Sequence, residues 1–253
     1  MRQIMEYPFL LCALTVVCLW IFAQLGALLR KRRKDEDESE KDEYGVVLSA
    51  TLTLLGLLIG FSFSMAISRY EQRKDYEEEE ANAIGTEYLR ADLLSDAVRQ
   101  KVQGQLVEYL DLRIRRYEAH ASDDITELAA KTGQLQLEMW NEVKTSAVAS
   151  PHPVMATVVT GMNDVINRQG YTQAARWNRI PSPAWALMIL IALFSNFLIG
   201  YGARKYHPFT LLIVPLAVAV SFLLIADIDS PQGGMIRVAP QNLIALSDSL
   251  KPK

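Results

Sequence analysis

The side chains able to catalyse a reaction or hold an ion are few and scattered. The three histidines, His120, His152 and His207, each fall at a loop, between prolines or at the edge of an apolar run. A metal site needs His, Cys or carboxylate ligands at short regular spacing, and no His-x-x-x-His or Cys-x-x-Cys pair occurs. The cysteines, Cys12 and Cys18, lie within one uncharged run and supply no disulfide framework. Neither a P-loop nor a Gly-x-Ser-x-Gly elbow is present. The sequence therefore assigns no catalytic residue, metal or cofactor, and an enzyme reading lacks a nucleophile and an acid–base pair.

Carboxylates offer more. Glu77 to Glu80 could attract cations, but consecutive helical positions point in different directions, so the expectation is a solvated face. Asp227 and Asp229, in ADIDSPQGGMIRV, stand where an apolar run ends. Desolvated carboxylates there need a partner or an ion, which makes both ion-binding candidates. Interfacial hydration with a capping role is the alternative.

The elements that must position these groups are apolar. Four runs, 7–29, 45–67, 183–203 and 208–226, contain no Asp, Glu, Lys, Arg or His. About 20 residues at about 1.5 Å each cross the hydrocarbon core, so all four are long enough to span a membrane. The basic cluster Arg30 to Lys34 follows the first run rather than preceding it, so that run reads as a retained anchor and not as a signal peptide. The expected organisation is a first helix pair (1–68), a soluble segment (69–182), a second pair (183–226) and a C-terminal tail (227–253).

Positive charge in short loops marks the cytoplasmic side. Arg30 to Lys34 and Lys41 lie between the first two spans, and Arg204 and Lys205 between the last two. Both connections read as cytoplasmic, which puts the soluble segment on the periplasmic side of a bacterial inner membrane. The acidic run that follows Lys34 reads as a solvated spacer.

From Gly45 to Leu94 there is no proline, and Ala81, Ile84, Tyr88 and Ala91 share one face, so the second span is expected to continue as one long helix. Ser95-Asp96 begins another, with Val98, Val102, Leu106 and Tyr109 on a stripe. AHASDD interrupts it. Ile125, Leu128, Leu135, Met139 and Val143 mark a third helix, and Val154, Val158, Val165 and Ile166 a fourth. No strand alternation occurs, so the class is all-α. These stripes are narrow for an isolated domain, and packing against other copies is the expected source of stability. With 14 basic and 18 acidic residues over 69–182, the segment is no nucleic-acid footprint.

Within the second span, Ser49, Thr53, Gly56, Gly60 and Ser64 recur at helical spacing. Such a stripe either lets backbones pack closely or lines a narrow aqueous path. Both readings stay open on spacing alone.

GLLIGFSFSMAISRYEQRKDYEEEEANAIGTEYLRADLL (56–94) resembles the segment joining the second membrane helix to the soluble helices of bestrophins. Together with DIDSPQGGMIRV (227–238), it more closely resembles a bacterial bestrophin-like domain family, over almost the whole chain. Bestrophins are homopentameric ion channels whose second helices line the pore. The resemblance implies a bestrophin-like fold, a homo-oligomer in membrane lipid passing inorganic ions, and a pore neck at Thr53, Leu57 and Phe61. Thr53 departs from an apolar neck, and bestrophin topology puts the soluble part in the cytoplasm, opposite to the loop charges. The leading expectation is an oligomeric channel. The alternative is a non-conducting scaffold or envelope sensor that binds a partner through its soluble helices.

The orientation is testable. In a Ser39→Cys variant of intact cells, a membrane-impermeant thiol reagent should leave the cysteine unlabelled; labelling would place this loop outside and restore the bestrophin topology.

Overall fold

In a computed structural model, which describes residues 8–31, 38–119, 125–203 and 209–251, the apolar runs fold as helices because hydrocarbon leaves backbone N–H and C=O groups no other partner. The helices are α1 (Pro8–Lys31), α2 (Glu38–Arg90), α3 (Asp96–Glu118), α4 (Ile125–Ala149), α5 (Met155–Trp177), α6 (Ser182–Gly202), α7 (Thr210–Asp229) and α8 (Gln241–Leu250). No strand occurs among the described residues. Proline near the start of α6 suits a position whose N–H has no helical partner. The chain forms two compact units, Met1–Ser68 with Arg179–Arg237, and Arg69–Asn178 with Val238–Lys253. Residues 227–253, expected as a tail, thus divide between them.

The first unit holds the four apolar helices long enough to cross a membrane, with α2 contributing its apolar part, 45–67. Helix α1 packs on α6 and α7. Lipid tails are as apolar as leucine, so close backbone approach through small residues, rather than burial from water, has to hold such helices together. Leu19, Ala23 and Ala27 form the buried stripe of α1, and Gly26 and Gly200 take the tightest crossing. A Cβ at Gly200 would run into the Ala23 carbonyl, and one at Gly26 into the Phe197 carbonyl. Trp185 and Phe222 meet edge to face, with ring centroids 5.7 Å apart. Arg30 Nη1 donates to the Tyr201 carbonyl at 2.8 Å, placing a cation at the C-terminal end of α6. The Tyr44 ring lies 5.7 Å from that of Tyr201, so the end of α1, the start of α2 and the end of α6 meet at one end of this unit.

The second unit contains a core of its own, contrary to the expectation from its narrow stripes. Val102, Leu106 and Tyr109 of α3, Leu135, Met139 and Val143 of α4, and Val158, Met162 and Val165 of α5 enclose one apolar cluster, joined by Ala81, Ile84 and Leu243. The stripes are complementary, so four of them close a core that none could form alone. Helix α2 stops where ADLLSD begins. Ala91–Leu93 tightens into a 3₁₀ turn, Leu94 is extended, and Ser95 starts α3. Gln103 Nε2 closes the corner by donating to the Tyr88 carbonyl and to Asp92, both at 3.1 Å. AHASDD lies mostly outside the described residues.

Gly200→Val should destabilise the protein by about 2–3 kcal/mol, because the added atoms force two helix backbones apart. Gly104→Ala, at an exposed position of α3 with nothing within 4 Å of its Cβ, should instead gain up to about 1 kcal/mol. Thermal unfolding of both variants in detergent checks the contrast.

Candidate functional site

The stripe of α2 picked out by its spacing forms one continuous, uncovered face of the first unit. Leu55, Ser62 and Ala66 are buried, so they define the side of the helix held by its own chain. Successive residues turn by about 100°, which puts Thr53, Leu57 and Ser64 almost diametrically opposite that side. Ser49, Thr53, Gly56, Leu57, Gly60, Phe61 and Ser64 are all exposed, Leu57 to 52% and Phe61 to 62%. Thr53, Leu57 and Phe61 follow one another at one-turn intervals along this face. The Thr53 hydroxyl donates to the Ser49 carbonyl at 2.8 Å, leaving its oxygen as an outward acceptor. Among the described residues, nothing outside the helix's own backbone lies within 4 Å of a Cβ built at Gly56 or Gly60. Close packing inside the chain falls instead on Gly26 and Gly200, which spacing within a single helix did not single out. The signal for them was a pair, the small run Ala23, Gly26 and Ala27 in one span and Gly200 in another.

Asp227 and Asp229 lie at the C-terminal end of α7, each only 3% exposed. A carboxylate there opposes the helix dipole and must be answered by donors. Asp227 accepts the N–H groups of Met235 and Ile236 at 2.8 and 2.9 Å. A Cβ at Gly234 would press on the Asp227 carbonyl and carboxylate, so DIDSPQGGMIRV is a turn folded around one acid. Asp229 accepts the Ile180 N–H at 3.0 Å, tying the exit of α7 to the entry of α6. Backbone amides are thus among the partners that these buried acids require. Among the described residues no group of three or more His, Cys, Asp or Glu side chains is placed to hold a metal. His152 is exposed and accepts from the Val154 N–H, while His120 and His207 lie outside the described residues.

The Glu77–Glu80 run is not the solvated face that was expected. Arg73, Glu77, Glu80, Ile84 and Glu87 form the buried edge of α2, which Ala91 continues into the 3₁₀ turn. Glu77 accepts the backbone N–H groups of Asn242 and Leu243, each at 3.0 Å, and so caps α8 in place of an N-cap side chain. Glu80 is paired with Arg113 of α3 through Nε and Nη2 and also accepts from Thr172 of α5 at 3.1 Å. Arg176 stacks 4.5 Å from the Tyr117 ring centroid and donates to the Arg116 carbonyl. Burial, with Arg176 and Arg113 nearby, pushes Arg116 down to about 10, and burial beside Glu80 pushes Tyr117 up to about 12. Sequence reasoning missed this network because its members come from α2, α3 and α5. The available signal was that Glu77, Glu80, Ile84 and Ala91 share one helical face.

No curated protein matches the chain. Among solved structures, a bacterial bestrophin homologue from Klebsiella pneumoniae carrying a single substitution superposes with a TM-score of 0.66 at 11% identity, covering 94% of this chain and 97% of that one. A second substituted form of the Klebsiella pneumoniae homologue gives 0.65 at 12% identity, over 96% of each chain. At that identity the likeness speaks for the fold, four apolar helices with a helical soluble part. The Bestrophin-like domain model matches residues 9–243, and by that match this membrane protein belongs to the bestrophin-like family.

Proposed function

We propose that the protein is an ion channel, assembled from several copies with α2 around a central pore. The observation that carries this reading is the uncovered face of α2. It combines hydroxyls, glycines and two large apolar side chains on the side away from the chain's own packing. A face turned to lipid gains nothing from Ser49, Thr53 and Ser64, whereas a pore uses hydroxyl oxygens to replace water around an ion. Closed cyclic symmetry sets the same face of every copy toward the axis, with five copies if the assembly follows the bestrophins. Leu57 and Phe61 would then form an apolar neck that blocks ions by dewetting, with Thr53 one turn away as a polar ring. Asp227 and Asp229 already take backbone donors, so this reading does not rest on them as ion ligands. In this reading the membrane is the bacterial inner membrane, with the loop bearing Arg30 to Lys34 and the turn bearing Arg204 and Lys205 cytoplasmic and residues 69–182 periplasmic.

Purified protein in planar bilayers under a salt gradient tests conduction. If the neck contributes a barrier of about 1.4 kcal/mol, replacing Leu57 and Phe61 together with alanine raises the current about tenfold. No current from either form, in preparations shown to be folded and oligomeric, overturns the channel. A current unchanged by the double substitution removes only the neck. Gly60→Leu, on the same face, should disturb assembly, seen as a changed oligomer mass in native mass spectrometry.

A further inference from the structure

Along the buried edge of α2, Glu77 and Glu80 have donors, but Glu87 has none. Its side chain is fully buried, and neither carboxylate oxygen has a hydrogen-bond partner. It lies against α5 where Gly161 leaves it room, since a Cβ there would overlap Glu87 Oε2 and Arg90 Nη1. The charged groups acting on it are Arg90 from its own helix and Asp164 from α5. Gly161, Arg90 and Asp164 also line a cavity of about 340 Å³, together with Asn82, Thr86 and Arg168.

We propose that Glu87 is a proton-binding site of the soluble unit, occupied at neutral pH, whose deprotonation loosens the contact between α2 and α5. A buried carboxylate without donors is far less stable than the neutral acid, so the group keeps its proton rather than its charge. Burial pushes Glu87 up to about 8; Arg90 opposes the shift and Asp164 adds to it. Above that pH the anion has to be hydrated, and the cavity at Gly161 is the space through which water reaches it.

The sign follows from proton counting. Between the ordinary carboxyl value of 4.5 and about 8 the folded unit holds a proton that the unfolded chain has released. Stability therefore falls as pH rises through this window and is flat with respect to Glu87 above it. Denaturant unfolding of the full chain in detergent at pH 6 and pH 9, wild type beside Glu87→Gln, reads this directly. Relative to the variant, the wild-type folded-to-unfolded ratio should fall about a hundredfold between the two pH values. An equal pH dependence in the two forms overturns the proposal. Should Glu87→Gln not fold, an infrared titration of wild type and Asp164→Asn decides. A protonated-carboxyl carbonyl band lost near pH 8 in wild type, and at lower pH in Asp164→Asn, is expected. A band absent above pH 6, or unmoved by Asp164→Asn, overturns it. Neither readout involves ion flow, so the result is independent of the channel reading.

Discussion

The soluble unit is organised by the need to satisfy carboxylates that α2 buries. A charged group out of water must be paired, hydrogen-bonded or neutralised, and the alternatives are several kcal/mol worse. Three glutamates on one edge of α2 receive three different answers. Glu77 takes the free amides at the start of α8 and so fixes where that helix docks, with Leu243 buried beside it. Glu80 takes a guanidinium from α3 and a hydroxyl from α5, which sets both helices against α2. Glu87 receives no donor. The apolar cluster supplies the bulk of the burial, but it is nearly featureless along each stripe. The carboxylates choose the register, because a one-turn slip of α3 would strand both Glu80 and Arg113 without their partners.

The first unit solves a different problem with different residues. In lipid, small side chains let backbones meet and polar side chains turn their donors inward to their own helix. Thr15, Ser195 and Ser221 each donate to the carbonyl four residues earlier, and Asn196 does so through Nδ2. Gly26 and Gly200 mark where α1 and α6 come closest, and Arg30 fastens the end of that crossing. Polar chemistry therefore concentrates at the ends of the helices, in Arg30 on Tyr201 and Asp229 on Ile180.

What the sequence made legible was whatever depends on neighbours along the chain. Uncharged runs gave the four spans, the absence of proline gave the length of α2, and Ser95-Asp96 gave its end and the start of α3. What it hid depends on residues far apart. Nothing local distinguishes Glu78, which is exposed, from Glu77, whose amide partners lie 165 and 166 residues away. The run reads as solvated until α8 is in place. Likewise Gly56 and Gly60 form the conspicuous motif, yet inside the chain the tight contact belongs to Gly26, whose partner is on another helix. The separate core of the soluble unit was hidden for the same reason. Each stripe is narrow, and only the joint count over α2, α3, α4 and α5 shows enough apolar surface to enclose.

The two glycines of the α2 stripe also bear on assembly. A glycine in a helix interior is less favourable than alanine by about 1 kcal/mol, so Gly56 and Gly60 together weaken α2 by about 2 kcal/mol. Gly26 and Gly200 return that cost through close packing of helix backbones, but among the described residues nothing outside their own helix lies within 4 Å of a Cβ at Gly56 or Gly60. On the proposed channel reading their return lies outside the single chain, either in another copy's helix approaching closely or in the width that a missing side chain leaves open. Both arrangements are met if copies of α2 face one another as proposed. Lipid can flank such a face, yet it rewards neither the glycines nor the hydroxyls at Ser49, Thr53 and Ser64, for hydrocarbon offers no hydrogen bond and fills space equally well around leucine. The face opposite Leu55 is therefore the part of the first unit whose composition fits the proposed oligomer. That is why the channel reading begins there and not at the acidic turn that follows α7.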